Sequence, residues 1–325
     1  MRASALRGPA FCLLATAFSG AAIGADAAQS YPARPVRVVV AFAAGGFADT
    51  NARMITQKLG EKLGQNFVVD NRGGAGGTLG AKIVADSSKD GYTLLATTAA
   101  SSVSPSLYKN LGYDYLRDLT PISNTVSAAG VFSVHASNPA KDLKDFLQRS
   151  RGKRVTFGTA GVGTSSHIAA DYLLRVLAKL EAVHVPFKGG APAVAAALGG
   201  QVDMLNSSGA ANAHILAGRM KGLGVASLTR ISILPDVPTV AEAGFPGFEE
   251  RSWVGFFAPA GTPRAIVDRL NKEINVALGH PDVVAAAKAR GTEIHKGSAA
   301  EFGRFVRAEV AKWAKMVKLT GVKVE

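Results

Sequence analysis

Residues 36–54 read VRVVVAFAAGGFADTNARM, and the fold class follows from them. Val36 to Val40 is a valine-rich run of strand length with Arg37 inside it, which predicts a buried strand. After it come the paired glycines Gly45 and Gly46, and then a helix from about Asp49, with Ile55, Leu59 and Leu63 on one face and Gly64 as its stop. Strand, glycine loop and helix together form the opening unit of an α/β fold. Glycine lets a backbone approach a ligand closely, and free N–H groups at a helix start attract anions. Two readings stay open for the loop: an anion cradle, or a tight turn with Asp49 as N-cap. A nucleotide P-loop is excluded, because no Lys-Ser or Lys-Thr pair follows the glycines.

Beyond this stretch, apolar runs continue to alternate with amphipathic stretches, as βα units around mostly parallel sheets require. Further strands are expected over 67–69, 92–96, 155–157, 183–185, 202–205, 223–227 and 253–258. Residues 155–174, VTFGTAGVGTSSHIAADYLL, repeat the opening pattern, with Gly161 and Gly163 between strand and helix and with hydroxyls at Thr164, Ser165 and Ser166. The run imitates a dinucleotide fingerprint, but Glu181 precedes the next strand instead of ending it, which argues against a dinucleotide. A third glycine cluster, NRGGAGGTLGA (residues 71–81), reads as a closely packed turn. Thr262 and Pro263 are expected to cap and open a helix. Ser298 and Glu301 form a capping box for a last helix that buries Phe302, Phe305, Val306, Val310, Trp313 and Val317. No repeat or low-complexity linker divides the chain, so two domains would be joined by short hinge crossings, expected near Ser123 to Gly130 and near Thr229 to Pro235.

The amino terminus is set apart from this pattern. Arg2 and Arg7 precede the apolar run FCLLATAFSGAAIG, and Ala25 and Ala27 fit a small-residue cleavage site, so residues 1–27 read as a secretory signal peptide. The single cysteine of the chain, Cys12, lies inside that segment. Disulfides, thiolate catalysis and zinc–thiolate sites are therefore not expected in the mature protein. The chain carries a formal net charge of +13, most of which remains without the signal segment. Such an excess draws in anions. The Lys and Arg residues are dispersed, without interleaved aromatics, which argues against nucleic acid.

No catalytic arrangement emerges: there is no G-x-S-x-G, no H-E-x-x-H and no metal-type spacing among the six histidines. His167, beside the second glycine loop, reads either as a helix-start residue that bonds locally or as a ligand contact. The expectation is a binding protein, not an enzyme, with no cofactor and no metal.

Taken in order, the segments YPARPVRVVVAFAAGGFADTNAR, VVDNRGGAGGTLGA, DGYTLL, YDYLRDLTPIS, FGTAGVGTSSHIA, VPFKGGAPAVAAALGGQVDM, LPDVPTVAEAGFPGFE, WVGFFAPAGTP and IVDRLNKEIN resemble the exported substrate-binding proteins of tripartite tricarboxylate transporters, the Bug-type receptors. The resemblance runs the whole mature length. It implies a two-domain Venus-flytrap periplasmic binding protein of type II-like α/β fold, with two mostly parallel sheets flanked by helices and two hinge crossings. Domain 1 would comprise residues 28–125 and 232–325, and domain 2 residues 126–231.

Ligand would lie between the domains, gripped by the two glycine loops. Carried over by residue, the first-loop contacts are Phe42, Gly45, Gly46, Phe47 and Asp49. The second domain would supply Thr159, Gly161, Thr164, Ser165, His167 and Asp203, and Thr98 and Ser101 would stand at the cleft wall. This chain departs from the family pattern in having Ala41 in place of the usual Pro and Ser104 in place of the usual Asn. Phe47, at a variable position, is suited to covering the ligand or excluding water. The implied function is that of a periplasmic monomer that captures a small carboxylate (a di- or tricarboxylate, an acidic amino acid or an aromatic acid) for two membrane subunits of a transporter. A receptor of the same fold that reports to a membrane sensor is the alternative.

Overall fold

The computed structural model of the chain describes residues 30–323; the signal segment expected over residues 1–27 lies outside them. The first core gathers residues between Tyr31 and Ile122 and between Trp253 and Val306. The second is built from residues between Phe132 and Phe248. The chain thus leaves one lobe and comes back to it, as a two-domain binding protein does.

In the first lobe, β1 (Val36–Val40) lies between β2 (Phe67–Asn71) and β3 (Thr93–Thr98), all parallel. α1 (Phe47–Leu63) covers them through Ile55 and Leu59 and ends on Gly64 in the left-handed conformation that favours glycine. The helix begins two residues earlier than expected, with Gly46 as N-cap, so Asp49 sits inside the first turn and is not the cap. α2 (Thr78–Ala85) and α3 (Ala100–Leu107) complete this part.

A strand that the sequence reading did not anticipate, β4 (Leu119–His135), joins the lobes. Its first part pairs antiparallel with β9 (Arg251–Pro259); from Gly130 on it enters the second sheet, beside β7 (Met204–Ser208) and β8 (Met220–Val225). Register shifts at Pro121, Asn124 and Phe132 mark bulges, which bend a strand. This is the first hinge crossing, and it is continuous strand.

The second lobe repeats the plan of the first. After α4 (Leu143–Arg149), β5 (Arg154–Thr159) runs parallel to β6 (Glu181–Pro186) and to β7. α5 (Ser165–Asp171) continues into a wider helical turn over Tyr172–Leu177, and α6 (Gly190–Leu198) and α7 (Asn212–Leu216) follow. The segment Thr229 to Pro235, expected to be the return crossing, packs on this lobe instead: Leu234 clusters with Val131 and Val225, and Val240 and Phe248 fill the second core. The chain crosses back at Glu250 and Arg251, where β9 begins.

α8 (Arg264–Ala277) starts after Pro263 as N-cap, one position later than expected, because the Thr262 hydroxyl turns back onto Pro259 O at 2.8 Å. α9 (Pro281–Arg290) and β10 (Glu293–Ile294), which pairs with β4, lead to α10 (Ala299–Thr320), where the capping box of Ser298 and Glu301 forms as expected. Trp313 and Val317 of α10 pack with Val103 and Leu107 of the first lobe and Ile168 of the second, so this helix touches both. Phe305 is a correction to its expected buried face: the side chain is 38% exposed, stacked on Phe302 at the rim.

Candidate functional site

The carboxyl ends of both sets of parallel strands face the crossing between the lobes, which is where ligands bind in open α/β sheets. There the lobes enclose a cavity of about 40 Å³. From the first lobe its wall takes Phe42 after β1, Phe47 and Ala48 at the start of α1, and Thr98 at the end of β3. The second lobe contributes Ala160, Thr164, Ser165, Ser166, Gly190, Ser207, Ser208 and Ala210. Ser252 comes from β9. The wall carries no charged side chain, and its polar groups are hydroxyls. A larger groove of about 560 Å³ lies outside, along α10, and mixes Arg251, Lys296 and Lys312 with Glu249, Glu293, Glu301 and Glu309. Of these two, the inner cavity is the one that both glycine loops reach.

The lobes meet closely around it. Ala43 N–H donates to Lys188 O across the cleft at 3.1 Å. A Cβ on Gly46 would stand 3.4 Å from the backbone nitrogen of Gly190, and a Cβ on Gly76, in the third glycine cluster, would collide with Val162 O of the opposite lobe. These approaches are what the glycines permit. The volume enclosed is that of one or two water molecules, so the lobes must stand further apart than this to admit a diacid.

Of the thirteen residues expected at the site, the structure brings Phe42, Phe47, Thr98, Thr164 and Ser165 to the cavity wall. Thr164 also caps α5, accepting a hydrogen bond from His167 N–H at 3.2 Å, and donates to Gly161 O at 2.8 Å. Ser165 Oγ donates to Glu250 Oε1 at 2.7 Å.

The remaining eight stand behind the wall or away from it. Gly46 sits at the lobe contact. Gly45 N–H is taken by Asp49 Oδ2 at 2.8 Å, and Asp49 further accepts from Asn71 at 2.9 Å and from Arg53 at 3.0 Å. Burial pushes the Asp49 pKa up, but the bonds from Arg53, Gly45 and Asn71 outweigh it and hold the carboxyl below the usual range. Ser101 is hydrogen-bonded to Thr97 at 2.8 Å. Thr159 bonds His184 at 2.7 Å, and Gly161 N–H donates back to Thr159 Oγ1 at 3.3 Å.

His167 is stacked on His184 with ring centroids 3.8 Å apart, and its Nδ1 accepts from Gly163 N–H at 3.2 Å. Of its two readings, the local bonding one matches this geometry. Burial lowers the His167 pKa to about 4, with Arg175 adding to the effect; burial and His167 lower that of His184 to about 3. Both rings are neutral at pH 7. Asp203 precedes β7 and bonds Thr156 N–H and Oγ at 2.7 Å, at the opposite end of the strand from Ser207 and Ser208.

Ser207, Ser208 and Ser252 join the wall without having been expected there. A signal was present in MLNSSGA, residues 204–210, where an apolar start runs into hydroxyls and a glycine turn as in the second loop.

The chain matches the family model described as the tripartite tricarboxylate transporter family receptor over residues 51–322. It belongs to that family. The receptor is similar to the solved periplasmic binding protein BugD, with 35% sequence identity, a TM-score of 0.87, and coverage of 91% of this chain and 100% of that one. A protein of R. palustris solved with adipate is 34% identical, with a TM-score of 0.86 over 90% of this chain and 99% of its own. MatC from Rhodopseudomonas palustris, solved with bound malate, is 34% identical, with a TM-score of 0.84 over 88% of this chain and 100% of its own. The receptor is thus a Bug-type solute-binding protein and not an enzyme. Among its described residues no helix is long and apolar enough to cross a membrane, and no cluster of His, Cys, Asp or Glu is placed to hold a metal ion.

Proposed function

We propose that the receptor captures a small carboxylate between its lobes in the periplasm, after removal of the signal segment, and delivers it as a monomer to the membrane subunits of a transporter. The observation that carries this is the convergence of hydroxyls from both lobes and from β9 on one enclosed, uncharged cavity. Hydroxyls donate to a carboxylate without neutralising it, and each hydrogen bond to a charged group contributes about 1.5–3 kcal/mol. A few of them, offset by the cost of closing the lobes, suit micromolar affinity, about −8 kcal/mol. The adipate and malate held by the two relatives fit this chemistry.

The contacts are Phe42, Phe47, Thr98, Thr164 and Ser165, joined by Ser166, Ser207, Ser208 and Ser252. Gly45, Asp49, Ser101, Thr159, Gly161 and His167 hold the loops in shape. The moving bodies are residues 30–129 with 251–323 on one side and residues 130–250 on the other, because Val240 and Phe248 pack in the second core. The test is a thermal-shift panel of mono-, di- and tricarboxylates, acidic amino acids and aromatic acids on the mature protein. At least one acid is expected to stabilise it, and stabilisation by none overturns the reading. The family's description names a transporter, which favours delivery over sensing; deletion of the gene is expected to abolish uptake of that acid.

A further inference from the structure

Carboxylate capture by the wall hydroxyls makes no use of one buried ionisable group, Glu250, which is fully buried where the chain crosses back between the lobes. Its backbone is pinned there, N–H to Ala226 O and carbonyl to Gly130 N–H, both at 3.0 Å. The carboxyl lies in the space that Gly130 leaves open on β4: a Cβ on Gly130 would run into Glu250 Oε2 and stand 2.9 Å from Asn206 Oδ1. Asn206 is oriented by its Nδ2, which donates to Ser166 O at 2.9 Å, so an acceptor oxygen is turned to this same space. Glu250 Oε2 and Asn206 Oδ1 are both buried and neither completes a hydrogen bond, although the Ser208 hydroxyl of the cavity wall stands near enough to the Glu250 carboxyl to favour its ionised form. Two unpaired buried acceptors bordering one space are costly, and a proton on Oε2 supplies a donor there. The other oxygen, Oε1, accepts from Ser165 of the cavity wall.

The charges that bear on Glu250 come from α10. Lys312 lowers its pKa and Glu309 raises it, and these two pair with each other at 2.6 Å. α5, β7 and β4 present uncharged groups, Ser165, Asn206, Ser208 and Gly130, of which the Ser165 and Ser208 hydroxyls lower the pKa by hydrogen bonding. Its chain neighbours Glu249 and Arg251 pair at 3.4 Å. Burial is the largest influence and lifts the carboxyl to about 7.

We propose that Glu250 is a proton-linked positioning residue: the receptor holds its anionic ligand with Glu250 protonated, and ionised Glu250 expels it. The inference rests on the carboxylate reading of the cavity. An ionised Glu250 places a second negative charge one hydroxyl away from the ligand and ties up the Ser165 proton in a charge-assisted bond. When Glu250 takes a proton from solvent, the repulsion disappears and the Ser165 hydroxyl is free to turn to the stronger acceptor, the ligand carboxylate. By linkage, binding then raises the Glu250 pKa and takes up one proton per ligand above neutral pH.

The test uses the mature protein with adipate as probe, between pH 6 and 8.5, where both carboxyls of the probe are ionised and His167 and His184 are neutral. Calorimetry in buffers of different ionisation enthalpy is expected to report uptake approaching one proton at pH 8, with affinity falling about tenfold per pH unit above pH 7. Glu250→Gln is expected to bind with the same affinity at pH 6 and at pH 8.5. Infrared spectra of the ligand-free protein at pH 6 are expected to show a protonated carboxyl band that the variant lacks. Binding that ignores pH, or absence of that band, overturns the inference alone. Absence of adipate binding at every pH overturns the carboxylate reading for this probe and the inference with it.

Discussion

Ser165 Oγ donates a 2.7 Å hydrogen bond to Glu250 Oε1, tying a hydroxyl of the cavity wall to the point where the chain crosses back between the lobes. Thr164, its neighbour, spends its hydroxyl on the start of α5. Both hydroxyls are thus bonded within the protein, and the two residues should differ in how their loss divides between binding and stability. Ser165→Ala is expected to weaken acid binding by about 10–100-fold, the loss of one bond to a charged group. Thr164→Ala removes a helix cap and is expected to cost about 1 kcal/mol of stability. Titration calorimetry and urea unfolding of each variant check the split.

Closure should depend on Gly46, whose backbone is in an extended conformation open to any residue. Gly46→Val leaves the cavity wall unchanged but points methyl groups at the backbone of Gly190. The lobes are then held apart: acid affinity is expected to fall about tenfold or more, while unfolding of the ligand-free protein shifts by about 1 kcal/mol or less. Small-angle scattering should show no compaction of this variant on adding acid.

The stacked pair His167 and His184 makes stability depend on pH in a stated direction. Their folded pKa values, about 4 and about 3, lie below the unfolded value, so the stability they lend is complete above about pH 6.5 and is lost as pH falls towards 4. Each neutral ring contributes a slope of about 1.4 kcal/mol per pH unit within that window. Glu250, raised to about 7, acts in the opposite sense between its unfolded value and pH 7. Comparison of wild type with His167→Gln by urea unfolding at pH 7 and pH 5 isolates the histidine part: the variant should lose less stability on acidification.

Phe47 is the aromatic cover of the cavity on the first lobe. Truncation by Phe47→Ala should widen the site and move the preference towards bulkier acids, read as a changed ranking in the thermal-shift panel. An unchanged ranking would place selection elsewhere in the wall.

The parts of the fold legible in the sequence were those with a strong local pattern. Val36 to Val40, the α1 face ending at Gly64 and the capping box at Ser298 needed only their own neighbours. β4 was not legible as a strand, because it is buried through most of its length by pairing on both edges, and its Ser, Thr, Asn and Gly residues show no alternation. The return crossing was misplaced because Val240 and Phe248 are held by a core formed from residues distant in sequence. At the site, the two loops announced Phe47, Thr164 and Ser165 by their glycines and hydroxyls. Asp49, Thr159 and His167 have the same chemistry but are consumed by local bonds, which composition does not reveal. Ser207, Ser208, Ser252 and Glu250 reach the cleft only through the long-range register of β7, β4 and β9.

If a small acid is held by closure of the two lobes, the distance between them must change when it binds. Residues 28–325 contain no cysteine, so in that stretch Lys89→Cys and Arg151→Cys, both exposed and one in each lobe, accept a pair of spin labels without interference. An acid that raises the melting temperature is expected to shift the distance distribution to a shorter, narrower one, and Gly46→Val is expected to abolish the shift. Binding of such an acid with the distribution unchanged would contradict capture by closure.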